Sequence, residues 1–271
     1  MRLLSSRYFR TVALKTLKIF SFDFSIRHHW VEKRFIKLNS FKHKGYWWYG
    51  RKREEATLKS VADLILPGQT VVELGAHIGY LTLYFSHLVG SEGRVIAFEP
   101  SQQNREYLEG NIRGISNVSV EPVAISDFVG AADLFVEDLT GQNTSLVESY
   151  EVLGQNEINA GIHANIARES VPVTTLDAYC EANGVIPHFI KIDVEGAEEA
   201  VLRGSLGTMR KARPVVLIEI TRRHGEVYNL LRSLDYSCLD DELRPAELSL
   251  GGTPNYFWIP SEATRNGPSA R

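Results

Sequence analysis

The run VVELGAHIGY, Val71 to Tyr80, sets an acid two residues ahead of a glycine and places a second glycine four positions further on. A strand that feeds such a turn and then a helix builds a ligand site at the carboxyl edge of a sheet. Backbone N–H groups and the helix N-terminus face the bound molecule there. Gly75 and Gly79 allow the sharp turn and a close approach, with Ala76 between them. The spacing is G-x-x-x-G, not the G-x-G-x-x-G of dinucleotide enzymes, so no glycine is tuned for a pyrophosphate. Instead, Glu73 puts a carboxylate beneath the turn, which suits a cationic group better than a diphosphate. Glu99 ends the next strand, just before Pro100, where an acid accepts bonds from both hydroxyls of a ribose. A ribose, positive charge and no phosphate cradle together describe S-adenosylmethionine. The competing reading is a plain turn that packs a strand against a helix.

A second constellation is FIKIDVEGAEEAVLRG, Phe189 to Gly204. Lys191, Asp193 and Glu195 interrupt an otherwise apolar strand, and buried charges need partners or a task. Lys191 and Asp193 are two residues apart, share a strand face and can join one ionic network. In a doubly wound sheet this fourth strand lies beside the first, so Asp193 and Glu195 arrive next to the cofactor. Transfer of a methyl group from a sulfonium is an in-line displacement that demands alignment and exclusion of water. An alcohol acceptor must also lose a proton as the bond forms. Asp193 is the first candidate for acceptor contact or proton acceptance, followed by Glu195 and by Glu219 at the end of the fifth strand. His77 in the first turn is a further candidate base, or a turn residue bonded to backbone. His163 and His224 are weaker candidates. Asp193, Glu195 and Glu219 also raise the alternative of a divalent cation that orients the acceptor oxygen. GYWWYG, Gly45 to Gly50, offers aromatic faces for a sugar ring or a lipid interface, or else pins the amino-terminal region to the body. GQNTS, Gly141 to Ser145, offers hydroxyl-binding groups or a flexible tip.

The elements that must hold these residues alternate between short β-like runs and helices from Leu58 to Pro260, which argues a parallel sheet with crossover helices. Strands are expected at Thr70–Gly75, Arg94–Glu99, Val118–Ile125, in HFIKIDV and in PVVLIEI. YSCLDD and NYFWIP add a final antiparallel pair. Helices are expected near Gly79–Val89, from Pro100 and Ser101 to Ile112, Leu176–Ala182, Ala197–Leu206 and Glu226–Leu234. Residues 131–175 break the rhythm with two β segments around a polar loop, and the substrate is expected beneath them and the amino-terminal region. SEATRNGPSAR at the end reads as a frayed tail.

Of 271 residues, 44% are hydrophobic and 23% charged, as in ordinary soluble domains. Only Cys180 and Cys238 occur, which excludes a disulfide framework and a cysteine-rich zinc site and points to a reducing, cytoplasmic setting. Residues 1–53 hold 14 Lys and Arg against 2 Asp and Glu, whereas the remainder holds 16 against 31. This basic head either meets an anionic membrane surface or anionic substrate, or folds over the acidic body. The acidic body repels phosphates, and no Asn-Pro-Pro-aromatic motif is present, which argues against a nucleic-acid substrate.

VVELGAHIGYLTLYFS, GRVIAFEPS, VPVTTLD, FIKIDVEGAEEAVLRG, RPVVLIEI and NYFWIP together resemble the FkbM-type methyltransferase family across residues 56–260. The KIDVEGAE segment is the most specific part. The family usually has Asp where this chain has Glu73, which keeps the charge and lengthens the reach. The resemblance implies an α/β fold of class I methyltransferase (Rossmann-like) type, doubly wound, with a mostly parallel seven-stranded sheet and an antiparallel terminal strand. It implies S-adenosylmethionine over Glu73, Gly75, Gly79 and Glu99, with Ala124 and Ile125 flanking the adenine. It also implies O-methylation of a sugar, glycan or natural product. Residues 1–55 stand outside it as a basic, aromatic-rich extension, and 261–271 as a tail. Two other functions stay open: a nicotinamide-dependent oxidoreductase on a similar sheet, and a non-catalytic protein that binds membranes through its basic head.

Overall fold

Each strand of the central sheet presents alternate residues to opposite faces, and both faces are covered, so its strands are apolar throughout. The computed structural model describes residues 2–137, 145–146, 165–247 and 255–265. Its main sheet contains β3 (Thr70–Leu74), β4 (Arg94–Phe98), β5 (Val118–Glu121), β9 (Phe189–Ile192), β10 (Val215–Glu219), β11 (Tyr236–Leu239) and β12 (Asn255–Pro260). The spatial order is β11-β12-β10-β9-β3-β4-β5, seven strands in all. β12 inserts between β10 and β11 and runs antiparallel to both, while the β10-β9-β3-β4-β5 pairs are parallel. This is the mostly parallel sheet with an antiparallel terminal strand that the sequence implies.

One face buries Val71, Val95, Ala97, Phe189 and Leu217 under α3 (Glu55–Leu64), α4 (Tyr80–Val89) and α5 (Gln102–Asn111). The other buries Val72, Leu74, Ile96, Phe98, Ile190 and Trp258. It is covered by α6 (Leu176–Asn183), α7 (Glu198–Arg203), α8 (Leu206–Ala212) and α9 (His224–Ser233). Glu73 and Lys191 are register partners on neighbouring strands. They fall on the first face, at the carboxyl ends of β3 and β9, where the helix layer gives way to a cleft.

Several boundaries differ from the sequence expectation for identifiable reasons. The run Val118–Ile125 is two strands. Pro122 has no N–H for the ladder, and β6 (Ala124–Ile125) leaves the main sheet to pair with β8 (Ile166–Thr174). β8 also pairs antiparallel with β7 (Gly130–Glu137), so a second, three-stranded sheet stands beside the first. The expected helix Ala197–Leu206 ends early, at Arg203, as α7, and a further helix α8 begins at Leu206; at Gly204 between them an added Cβ would collide with the Ser126 carbonyl. Pro100 precedes α5 rather than opening it, and Ser101 sits at the cap position. Ser261–Arg265, the start of the expected tail, forms a further short helix, α10, with Glu262 paired to Arg213 at 2.7 Å; residues 266–271 lie outside the described residues.

The amino-terminal region is also ordered. A helix α1 (Arg2–Ile19) leads into a hairpin of β1 (Asp23–Arg27) and β2 (Phe35–Asn39), then α2 (Lys44–Tyr49). Ile36 and Leu38 on the inner hairpin face join the first core cluster. Polar contacts fix the docking. Asn111 accepts from the Lys37 N–H at 2.7 Å and donates to the Ile78 carbonyl at 2.8 Å. The buried His28 lies 2.9 Å from the Tyr80 carbonyl through Nε2, and its ring stacks on Tyr80. Burial holds the His28 imidazole down at about 4, so it stays neutral and can make this contact without carrying charge into the core.

Candidate active site

A cavity of about 180 Å³ opens where β3, β4, β9 and β10 end. Its walls include Glu73, Gly75, Ala76, Glu99 and Pro100 from the first two strands, and Ala124 and Ile125 from β6. Asp193, Glu195 and Glu219 complete it from the β9 and β10 ends, with His77 at the turn. These are the main residues singled out in the sequence, apart from Gly79. Gly79 does not line the cavity; it caps α4 at φ +83°, and a Cβ there would press into Leu108 of α5.

The turn after β3 uses its own backbone donors. The N–H groups of Gly75 and Ala76 both donate to the Phe98 carbonyl at 3.0 Å, and that of Gly79 to Ala76 at 2.9 Å. The His77 N–H donates to Glu99 Oε2 at 2.7 Å. The sequence expectation that these N–H groups face a ligand is therefore corrected. The N–H groups of Gly75, Ala76 and His77 are spent knitting the turn to the end of β4. His77 is held at φ +51°, a strained conformation for a residue with a Cβ, and the turn's bonds compensate for it.

Lys191 is the hub of the site. Its ammonium donates to the Gly75 carbonyl at 2.9 Å, pairs with Asp193 Oδ2 at 2.9 Å and stands 3.9 Å from Glu73 Oε1. Burial works against this ammonium, but the charges of Asp193 and Glu73 outweigh it and hold Lys191 above its usual value. Glu73 is fully buried; Thr82 donates to its Oε2 at 2.6 Å, and Oε1 has no hydrogen-bond partner. Burial pushes Glu73 up to about 7, with Lys191 and Thr82 pulling the other way. The two partners divide accordingly: Asp193 neutralises Lys191 at close range, and the longer contact leaves Glu73 poised near neutrality. Glu99 is likewise pushed up to about 7 by burial, against the bonds it accepts from His77, Ser101 and Asn104.

Asp193, Glu195 and Glu219 meet on the far side of the cavity. Burial and then the charge of Asp193 drive the carboxyls of both Glu195 and Glu219 upward. Glu195 sits at φ +47° with Gly196 at +94°, so the KIDVEGAE segment is a tight, strained turn after β9. Ser145, the one described residue of the GQNTS run, donates to the Glu195 carbonyl at 2.6 Å. His163 and residues 141–144 lie outside the described residues. His224 begins α9 and does not line the cavity. Among the described residues no group of three or more His, Cys, Asp and Glu is arranged to hold a metal, so the divalent-cation alternative has no donor set there.

Among the lining residues that the sequence reading did not assign to the site are Arg53 and Glu54, and Tyr46 is the residue of the GYWWYG run that reaches it. The Tyr46 hydroxyl lies 3.2 Å from His77 Nδ1, and the Arg53 guanidinium lies 4.5 Å above the Tyr46 ring. Arg53 also bonds Glu54 at 3.1 Å. The His77 ring is packed between Tyr46 and His43, and its Nε2 is buried without a partner. Burial holds this imidazole well below its ordinary value, so it is neutral.

A model of the FkbM methyltransferase domain matches residues 73–238, from the Glu73 turn through β11. The chain belongs to the FkbM methyltransferase family. That membership supports a methyltransferase reading over the nicotinamide one. Solved structures give distant likenesses to this FkbM chain. A methyltransferase FkbM from Methylobacillus flagellatus KT is 13% identical with a TM-score of 0.45, over 78% of this chain and 60% of that one. An O-methyltransferase from Bacillus cereus, solved with SAH, is 17% identical at 0.43, over 76% and 79%. A SAM-dependent O-methyltransferase from Thermotoga maritima is 12% identical at 0.41, over 76% and 63%. No curated protein matches the FkbM chain in sequence.

Proposed function

We propose that the protein transfers a methyl group from S-adenosylmethionine to a hydroxyl oxygen of a sugar, glycan or other small natural product. One observation carries the cofactor side of this reading: Glu73 Oε1, a carboxylate oxygen that is buried beside the cavity and lacks a donor. An unsatisfied buried acceptor is costly, and a ligand ammonium supplies the missing donor. Glu99 on the next strand would hold the ribose, and Ala124 and Ile125 give the adenine an apolar wall. When bound, the cofactor supplies an electrophilic methyl on a sulfonium.

The chain's own groups then align and deprotonate the acceptor. Asp193, pinned by Lys191, is fixed enough to orient a hydroxyl. Glu195 and Glu219 carry no ion pair among the described residues, and their raised carboxyls bind a proton more avidly. Once ionised, which their raised values shift toward alkaline pH, they can accept the hydroxyl proton. His77 is tied to Tyr46 and shapes the wall of the cleft rather than taking the proton.

The test uses cofactor labelled in its methyl group, incubated with fractionated glycans and small hydroxylated metabolites. The expected product carries the label in an ether that survives alkaline hydrolysis. Glu219→Gln, combined with Glu195→Gln, lowers kcat by roughly 100-fold while leaving cofactor affinity intact. Label appearing only in a base-labile ester or on nitrogen contradicts the hydroxyl assignment.

A further inference from the structure

Of the twelve large hydrophobic side chains exposed among the described residues, seven fall between Val12 and Tyr49. The methyltransferase reading has no use for them. Five of these flank one continuous aromatic ridge. Ile19 ends α1, Phe20 and Phe22 follow it, and Trp48 and Tyr49 end α2; each is more than 60% exposed. The half-buried Phe24 and Trp47 join the two groups. Ring centroids run from Phe22 to Phe24 at 5.6 Å, from Phe24 to Trp47 at 6.4 Å and from Trp47 to Trp48 at 5.8 Å. The same 53 residues hold 14 basic against 2 acidic side chains, and no acid precedes Asp23. Lys15, Arg51 and Lys52 are exposed, and the Arg51 guanidinium lies 4.5 Å above the Trp30 ring.

We propose that this basic, aromatic face docks the protein onto an anionic phospholipid bilayer. Tryptophan, tyrosine and phenylalanine favour the headgroup layer, and surrounding lysines and arginines draw an anionic leaflet. An aromatic ridge alone would suit a protein partner equally. The surplus of basic charge around it, on a chain whose remaining residues are acidic, selects a negatively charged sheet of lipid. No described helix is long and apolar enough to cross a membrane, so α1 lies on the surface. The arrangement also places the chemistry. Tyr46, which lines the cleft, shares the short helix α2 with Trp48, so docking sets the edge of the active site at the headgroup layer.

The experiment is co-sedimentation of the full chain with vesicles of neutral phosphatidylcholine, and with vesicles in which about a third of the lipid is phosphatidylglycerol. Tryptophan emission is followed in parallel. Binding to anionic vesicles with a blue shift, little binding to neutral vesicles and release by high salt are expected. Phe22→Ser with Trp48→Ser, and separately Lys15→Glu with Lys52→Glu, each weaken binding by roughly tenfold or more. The second pair is exposed, so it keeps the test valid should the first pair perturb folding. Absence of binding to anionic vesicles overturns the proposal. So does equal binding to both vesicle types, binding untouched by the charge reversals, or a dimer that buries Trp48 while vesicles stay bare. The assay needs neither cofactor nor acceptor, so its failure leaves the methyltransferase reading standing.

Discussion

Lys191→Met destabilises the protein by about 3–5 kcal/mol at about pH 8, because it leaves buried carboxylates without their cation. The ammonium serves three acceptors: the Gly75 carbonyl, Asp193 and, more distantly, Glu73. Methionine fills the volume but offers none of them a donor. The loss is smaller in acid, and the sign follows from proton binding. Lys191 pulls the Glu73 carboxyl down, so without it Glu73 moves further above its ordinary carboxylate value. A carboxyl raised in the folded state keeps a proton that the unfolded chain releases. Its stabilising contribution is complete below the unfolded value and fades as pH climbs through the folded one. Thermal melts across that window therefore show a variant deficit of roughly 10 °C at about pH 8 that narrows toward about pH 5. A deficit independent of pH would mean that lost packing, not lost charge, governs the site.

Gly75→Ala is the second large effect. Gly75 sits at φ +84°, and a Cβ there would run into the backbone carbonyl of Asp193. That carbonyl cannot step aside cheaply, since the Asp193 N–H is bonded to Leu74 at 3.0 Å and its side chain to Lys191. Two costs add: about 1–2 kcal/mol for the left-handed backbone, and the separation of β3 from the turn after β9. Gly68→Ala isolates the first cost, because Gly68 has a similar φ of +83° with nothing near its missing Cβ. Chemical denaturation should give a loss of about 1 kcal/mol for Gly68→Ala and about 3 kcal/mol or more for Gly75→Ala. Cofactor affinity should be lost in the second variant alone. Equal losses would show that strain is the whole effect and that the close approach carries no weight.

The contrast between these two glycines marks what the sequence makes legible. Val71–Gly79 and Phe189–Gly196 are strand-turn units whose chemistry is written in consecutive residues. The spacing therefore places Glu73, Glu99 and Asp193 at strand ends before any tertiary contact is known. The seven-stranded sheet is what the family resemblance implies; the spacing alone argues only for parallel strands with crossover helices. What spacing does not carry is the contribution of distant chain. Tyr46, Arg53 and Glu54 reach the cleft only because Asn111 grips Lys37 and His28 seats on Tyr80, across separations of 74 and 52 residues. The GYWWYG run gave the one available hint, but its composition does not say which ring turns inward. Tyr46 is buried at the cleft and Trp48 faces out. The splitting of Val118–Ile125 had a local signal in Pro122, which the apolar pattern on either side overrode. At Gly204 the spacing does not show that the Ser126 carbonyl, just after β6, fills the space an added Cβ would need.

A boundary at residue 55 therefore divides the sequence pattern but not the cleft. A chain cut there would keep Glu73, Glu99 and Asp193 and lose part of the wall that faces them.

The most direct test is a calorimetric titration with S-adenosylmethionine, run on the intact protein and on Glu99→Ala at about pH 6 and about pH 8. The intact protein should bind one equivalent and bind more tightly at the higher pH, since Glu73 and Glu99, both held near 7, must be ionised to meet a ribose and an ammonium. Glu99→Ala should weaken binding by roughly 100-fold. Unchanged affinity in a variant that melts as the intact protein does would contradict a cofactor site framed by these two carboxylates.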